Sequence, residues 1–95
     1  MGRSASRALA EHRSEVLARV RARGFSNPLV FGSVARHEDT ETSDVDLVVE
    51  PGPGTGLFDM SGLVLDLEDI LGCPVDVVSS RSRLSTEALR EAVPL

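Results

Sequence analysis

Ninety-five residues, 41% of them hydrophobic, suffice for one core but not for a second, so the chain reads as a single domain over residues 1–95. The net charge of −5 argues against a protein that coats nucleic acid, and no direct DNA binding is expected. All ten basic residues are arginines, which excludes mechanisms that require a lysine, among them the P-loop and the lysine-adenylate ligases.

Between residues 5 and 23, Leu9, Val16, Leu17 and Val20 recur at helical spacing among charged residues, with Gly24 placed to end the helix. Asn27 and Pro28 then break the chain. Leu29, Val30 and Phe31 form a short apolar strand that runs directly into Gly32 and Ser33, and residues 34–37 add a helical turn. Residues 45–49 read as a second strand that ends at Pro51. Residues 51–56, rich in Pro and Gly, form a turn without the features of a phosphate loop. Over residues 57–71, Met60, Leu63, Val64, Leu67, Ile70 and Leu71 share one helical face, and Gly72 stops the helix. A third strand covers residues 74–78, and Ser85 caps a last helix that packs through Ala88, Leu89 and Ala92. The single Cys73, beside Pro74 at the head of an apolar run, reads as a small buried hydrophobe. No apolar run approaches the ~20 residues needed to cross a bilayer, and no signal peptide is evident, so a cytoplasmic location is expected.

Strand side chains alternate between faces, so Val45, Leu47 and Val49 point one way while Asp44 and Asp46 point the other. Asp76 behaves likewise between Val75 and Val77. If the valines of both strands face one helical layer, three carboxylates emerge together on the opposite face. Their mutual repulsion calls for a cation, and an all-oxygen donor set suits Mg²⁺ or Mn²⁺. At the end of the first strand, Gly32 lets the backbone approach a ligand, and Ser33 with its neighbouring N–H groups can hold phosphate. A triphosphate bound there and bridged to the acids by metal could undergo phosphoryl-type transfer with little else from the protein. Singly, these residues have plainer readings: an Asp-x-Asp at a strand entry is commonly a solvated edge, and Ser33 alone would be a helix cap. Their joint spacing, with Asp44 eleven residues after Ser33, favours the site.

Residues 30–49, VFGSVARHEDTETSDVDLVV, resemble the signature of the minimal nucleotidyltransferases of the polymerase-β superfamily. The resemblance extends over nearly the whole chain, from the first helix to the strand that carries Asp76. It implies an α/β nucleotidyltransferase fold with a mixed sheet of about three strands and helices on one face. By the same resemblance Gly32 and Ser33 contact the triphosphate, Asp44 and Asp46 bind metal, and Asp76 completes the metal site and helps activate the acceptor hydroxyl. Arg36 stands at the family's Ala-Arg position and is a second candidate for holding phosphate, although a solvated arginine on a short turn is a comparable account. The next position, often glycine in the family, is His37 here, a departure expected to alter the loop without touching the carboxylates.

The chain has no room for a large substrate domain, so the acceptor is expected to bring its own binding surface. Resemblance to the minimal nucleotidyltransferase antitoxins implies ATP as donor and a HEPN-domain ribonuclease toxin as partner, neutralised by transfer of AMP to a tyrosine hydroxyl. Two other readings stand beside it. One is a noncatalytic antitoxin that masks its toxin by binding. The other is an adenylyltransferase of a small molecule such as an aminoglycoside, which requires a substrate-binding domain from elsewhere.

Overall fold

The structure, a computed structural model, describes residues 4–38, 40, 43–82 and 90–95. Two short helices come first, α1 (Ala5–Glu11) and α2 (Arg13–Ala22), followed by β1 (Phe25–Phe31), β2 (Val45–Pro51), α3 (Leu57–Leu71), β3 (Val75–Ser79) and β4 (Val93–Pro94). The strands form one mixed sheet in the order β3-β2-β1-β4. β1 is antiparallel to both β2 and β4, whereas β2 and β3 run parallel, joined by α3 as the crossover that a parallel pair needs. All three helices cover one face. From the sheet, Val30, Val45, Leu47, Val49, Val75 and Val77 meet Leu9, Val16, Val20, Leu63, Leu67 and Leu71 in a single cluster. Leu47, Leu63 and Leu67 are wholly buried, and burying a side chain of this kind is worth about 1.5–3 kcal/mol.

The helices begin and end where local chemistry allows. Ser4 Oγ accepts from the Arg7 N–H at 3.3 Å to open α1, and the Asp59 carboxylate accepts from the Gly56 N–H at 3.0 Å to open α3. Gly72, at φ 70°, closes α3 by donating to Glu68 O. The expected helical face of α3 is seen, with Leu63, Leu67 and Leu71 buried and Met60, Val64 and Ile70 packed at its margins. Among the described residues no helix is long and apolar enough to cross a membrane.

Three expectations need correction. The first helix is two, because His12 leaves helical geometry at φ −111°, ψ 19° and serves as C-cap of α1 and N-cap of α2. His12 N still donates to Ala8 O, and Val16 N to His12 O, so His12 stays hydrogen-bonded to both helices across the break. The first strand begins at Phe25, not Leu29: Asn27 and Pro28 are absorbed as an irregularity between Ser26 and Leu29, with Asn27 at φ 48°. The sheet has a fourth strand, Val93–Pro94, paired to β1 through Val30 and Leu29. Proline is tolerated there because β4 lies at the sheet edge. The expected last helix falls mostly outside the described residues, Ser85, Ala88 and Leu89 among them. Arg90 and Glu91 are helical, and Ala92 leads into β4.

Candidate active site

β1 delivers the first part of the site. Its last residue, Phe31, pairs with Asp46 of β2, and Gly32 turns the chain at φ 75°, in the left-handed region. A Cβ on Gly32 would collide with Asp46 Oδ2, so the absence of a side chain lets the turn lie against that carboxylate. Residues 32–38 wind into a tight turn, in which Arg36 N donates to Gly32 O at 3.1 Å and Glu38 N to Ser33 O at 2.9 Å. Val34, 6% exposed, anchors the turn in the core. His37 ends it at φ 58°, a backbone conformation that favours glycine, which accounts physically for the residue type the motif usually carries there.

The acids come from the adjoining parallel strands. Asp46 and Asp76 are direct partners in the β2–β3 register, and both lie on the face away from the helices, because the alternating Val45, Leu47 and Val49 are buried in the core. Asp44 stands one residue before β2 begins rather than within it, and like Asp76 it is exposed, whereas Asp46 is half-buried. Burial, then the charges of Asp76 and Asp44, push the Asp46 carboxyl above its ordinary range, and Arg36 opposes them. Sequence brings these four charged groups and Gly32 together from three segments of the chain.

The floor beside the acids is apolar, which the alternating pattern did not suggest. Leu29, Val48 and Val78 lie in register across β1, β2 and β3 on the acid-bearing face, with Val48 only 4% exposed. The signal was present in the unbroken pairs Val48–Val49 and Val77–Val78, since consecutive apolar residues in a strand imply cover on both faces. This row, with Phe31 beside Asp46, supplies the low-dielectric surroundings that desolvate Asp46.

Arg36 is held by two carboxylates. Its Nε donates to Glu38 at 3.1 Å and its Nη1 to Glu91 at 2.9 Å. These bonds, Glu38 first, raise the guanidinium further above its already high pKa. Cys73, expected to be buried, is half-buried and packs against the margin of the core; burial, then Asp44 and Glu68, push its thiol up, so it stays protonated at neutral pH. His12 bonds to Glu15 on the helix surface.

The donor set fits a hard divalent cation in one respect and is incomplete in another. Asp44, Asp46 and Asp76 accept no hydrogen bond or ion pair from any described residue, and their oxygens are of the type that Mg²⁺ and Mn²⁺ take. Among the described residues, however, no three such side chains converge tightly enough to hold an ion by themselves. Mg²⁺ is commonly held by one or two carboxylates with substrate phosphates completing the shell, so a tight three-carboxylate cage is not required of such a site.

Comparison with known proteins agrees with this geometry. The family model described as "Polymerase beta, Nucleotidyltransferase" matches residues 27–94. The protein named "Putative protein adenylyltransferase MJ0435" of Methanocaldococcus jannaschii is 44% identical over 73 residues, which cover 74% of this chain and 78% of that one. A solved structure described as "Structure of putative minimal nucleotidyltransferase" matches 100% of this chain and 97% of its own, at 41% identity and a TM-score of 0.83. Another, "Crystal structure of the toxin-antitoxin with AMP-PNP", shares the fold at 19% identity and a TM-score of 0.73, over 85% of this chain and 69% of that one. With its Gly-Ser turn, strand acids and sheet order all present, this chain belongs to the polymerase-β nucleotidyltransferase family and is a nucleotidyltransferase.

Proposed function

We propose that residues 1–95 act as one minimal nucleotidyltransferase domain that uses a divalent metal to move AMP from ATP to a hydroxyl of a protein acceptor. The observation that carries this reading is the contact of Gly32 with the Asp46 carboxylate, next to Asp76, because it sets the proposed phosphate-binding turn against acids that no described residue pairs. In this reading Gly32 and Ser33 hold the triphosphate through backbone N–H groups and the hydroxyl. Arg36 neutralises phosphate charge through the donors its two glutamates leave free. Asp44 and Asp46 hold Mg²⁺ or Mn²⁺, with Asp76 as a third ligand. The metal supplies charge neutralisation at the phosphate oxygens. Asp76 lies beside Asp46 and is open to solvent, so it can receive the proton of the acceptor hydroxyl as the new oxygen–phosphorus bond forms and the α–β phosphoanhydride bond breaks. Pyrophosphate departs, and the proton passes on to water.

A protein acceptor is favoured by the 44% identical relative named for protein adenylylation and by fold neighbours solved as toxin–antitoxin complexes, one of them with AMP-PNP. The partner proposed is a HEPN-domain ribonuclease toxin encoded nearby. The test is to mix the chain with that toxin, ATP and Mg²⁺ and to weigh the intact toxin. A covalent AMP adduct, lost with Asp44→Asn/Asp46→Asn, supports the proposal. An unmodified toxin that is still inhibited, and equally by the double variant, would establish masking by binding instead.

A further inference from the structure

Glu91 comes from outside the signature motif, 55 residues after Arg36, yet its carboxylate is one of the two that accept from the Arg36 guanidinium and fix it. Its segment is not loose. Val93 and Pro94 pair with Val30 and Leu29 on β1, the strand that ends at the Gly32 turn. Leu95 N donates to Pro28 O at 3.1 Å, and Arg13 Nη2 donates to Leu95 O at 2.8 Å, so helix α2 ties down the end of the chain. Glu91 is thus a post anchored to the same strand as the turn it serves. Glu38 takes Nε and Glu91 takes Nη1, while Nη2 donates to no described residue. A guanidinium fixed at two of its nitrogens has one orientation available, and its remaining donors are aimed without further loss of side-chain freedom.

We infer that Glu91 is a positioning residue for nucleotide binding, holding Arg36 so that its free donors meet the triphosphate at the Gly32–Ser33 turn. This rests on the proposed reading of that turn as the triphosphate site. Edge strand β4, too short to add much to the sheet, thereby acquires a purpose: it carries Glu91 to the site.

The test is a double-mutant cycle read by calorimetric titration with a nonhydrolysable ATP analogue and Mg²⁺, together with KM and kcat. Glu91→Ala should weaken analogue binding about tenfold and raise KM similarly, with kcat at saturation kept within about threefold. Glu91→Gln retains an acceptor for Nη1 and should restore most of the affinity. In an Arg36→Ala background, Glu91→Ala should have no further effect. Parent-like or tighter binding by Glu91→Ala overturns the inference alone, as does an additive loss in the Arg36→Ala background, which would mean that Glu91 acts only on stability. A parent chain that binds no analogue overturns the triphosphate reading, and the inference with it.

Discussion

Asp46 and Asp76 face each other directly across the parallel β2–β3 ladder, two like charges side by side in one register pair. Together with burial, this raises the Asp46 carboxyl above its ordinary range. A carboxyl whose pKa is raised on folding is protonated in the folded chain where the unfolded chain has already ionised. It costs nothing at low pH, and its cost grows as pH rises from the unfolded value through the raised folded value. Asp46→Asn should therefore raise Tm by a few degrees at neutral pH without metal and leave it unchanged in acid. Asp66 has the opposite sign. The hydrogen bond from Arg23 Nε, 2.9 Å long, holds its carboxyl below the ordinary range. The stability it contributes is present above the unfolded pKa and is lost as pH falls through the folded one, so Asp66→Asn should lower Tm at neutral pH only. Thermal melts of both variants between about pH 3 and pH 8 check the two slopes at once. Parallel slopes would refute the assignment.

Gly32 and Gly72 have nearly the same backbone, at φ 75° and φ 70°, but different neighbours. A Cβ on Gly72 meets nothing within 4 Å, whereas one on Gly32 strikes Asp46. Gly72→Ala should cost only the left-handed conformation, roughly 1 kcal/mol. Gly32→Ala should cost about 1–2 kcal/mol more and displace the Asp46 carboxylate, with loss of nucleotide binding. Denaturant melts of the pair provide the measurement. Equal destabilisation would show that the turn does not rest on Asp46.

His37 ends the same turn with a positive φ and an exposed side chain. Replacing it with glycine relieves the left-handed strain but adds freedom to the unfolded chain, so His37→Gly should stabilise by only about 0.5–1 kcal/mol. Transfer activity should be kept, because the substitution leaves Gly32, Ser33 and the acids in place. A destabilised His37→Gly would mean that the imidazole makes a contact worth more than the strain.

These residues also show what sequence can reveal. Asp46 and Asp76 were legible as neighbours because Val45, Leu47 and Val49, and Val75 and Val77, alternate strictly and must share a buried face. The Gly-Ser turn was legible because an apolar strand runs into it without a break. The helix break at His12 was not, since Leu9, Val16 and Val20 keep one helical phase across it and all remain buried. Nor was β4, because two residues, one of them proline, carry no strand period of their own and pair only once β1 exists. The hold of Glu91 on Arg36 depends on that pairing and is invisible to any local pattern. The second strand was expected from Val45 and begins there, with Asp44 at its entry, but it runs two residues past the expected Val49 to Pro51, within the ordinary error of an element boundary.

Asp46 is half-buried whereas Asp44 and Asp76 are exposed, and in the proposed reading the contrast between Asp46 and Asp76 separates binding from chemistry. Asp46 is half-buried against the Gly32 turn, while Asp76 lies on the neighbouring strand, exposed to whatever approaches from solvent. A group that serves the acceptor more than the donor should affect turnover more than nucleotide affinity. Asp76→Asn should therefore keep analogue affinity within about threefold of the parent while reducing the transfer rate by a factor of 100 or more, on the order of what one positioned acid–base group contributes. Ser33→Ala should show the reverse, with a raised KM for ATP and a smaller change at saturation, because in the proposed reading its hydroxyl serves the triphosphate. Single-turnover transfer alongside equilibrium titration distinguishes the two effects. An Asp76→Asn variant that transfers at the parent rate would make Asp76 a solvated strand acid and leave the chemistry to Asp44 and Asp46.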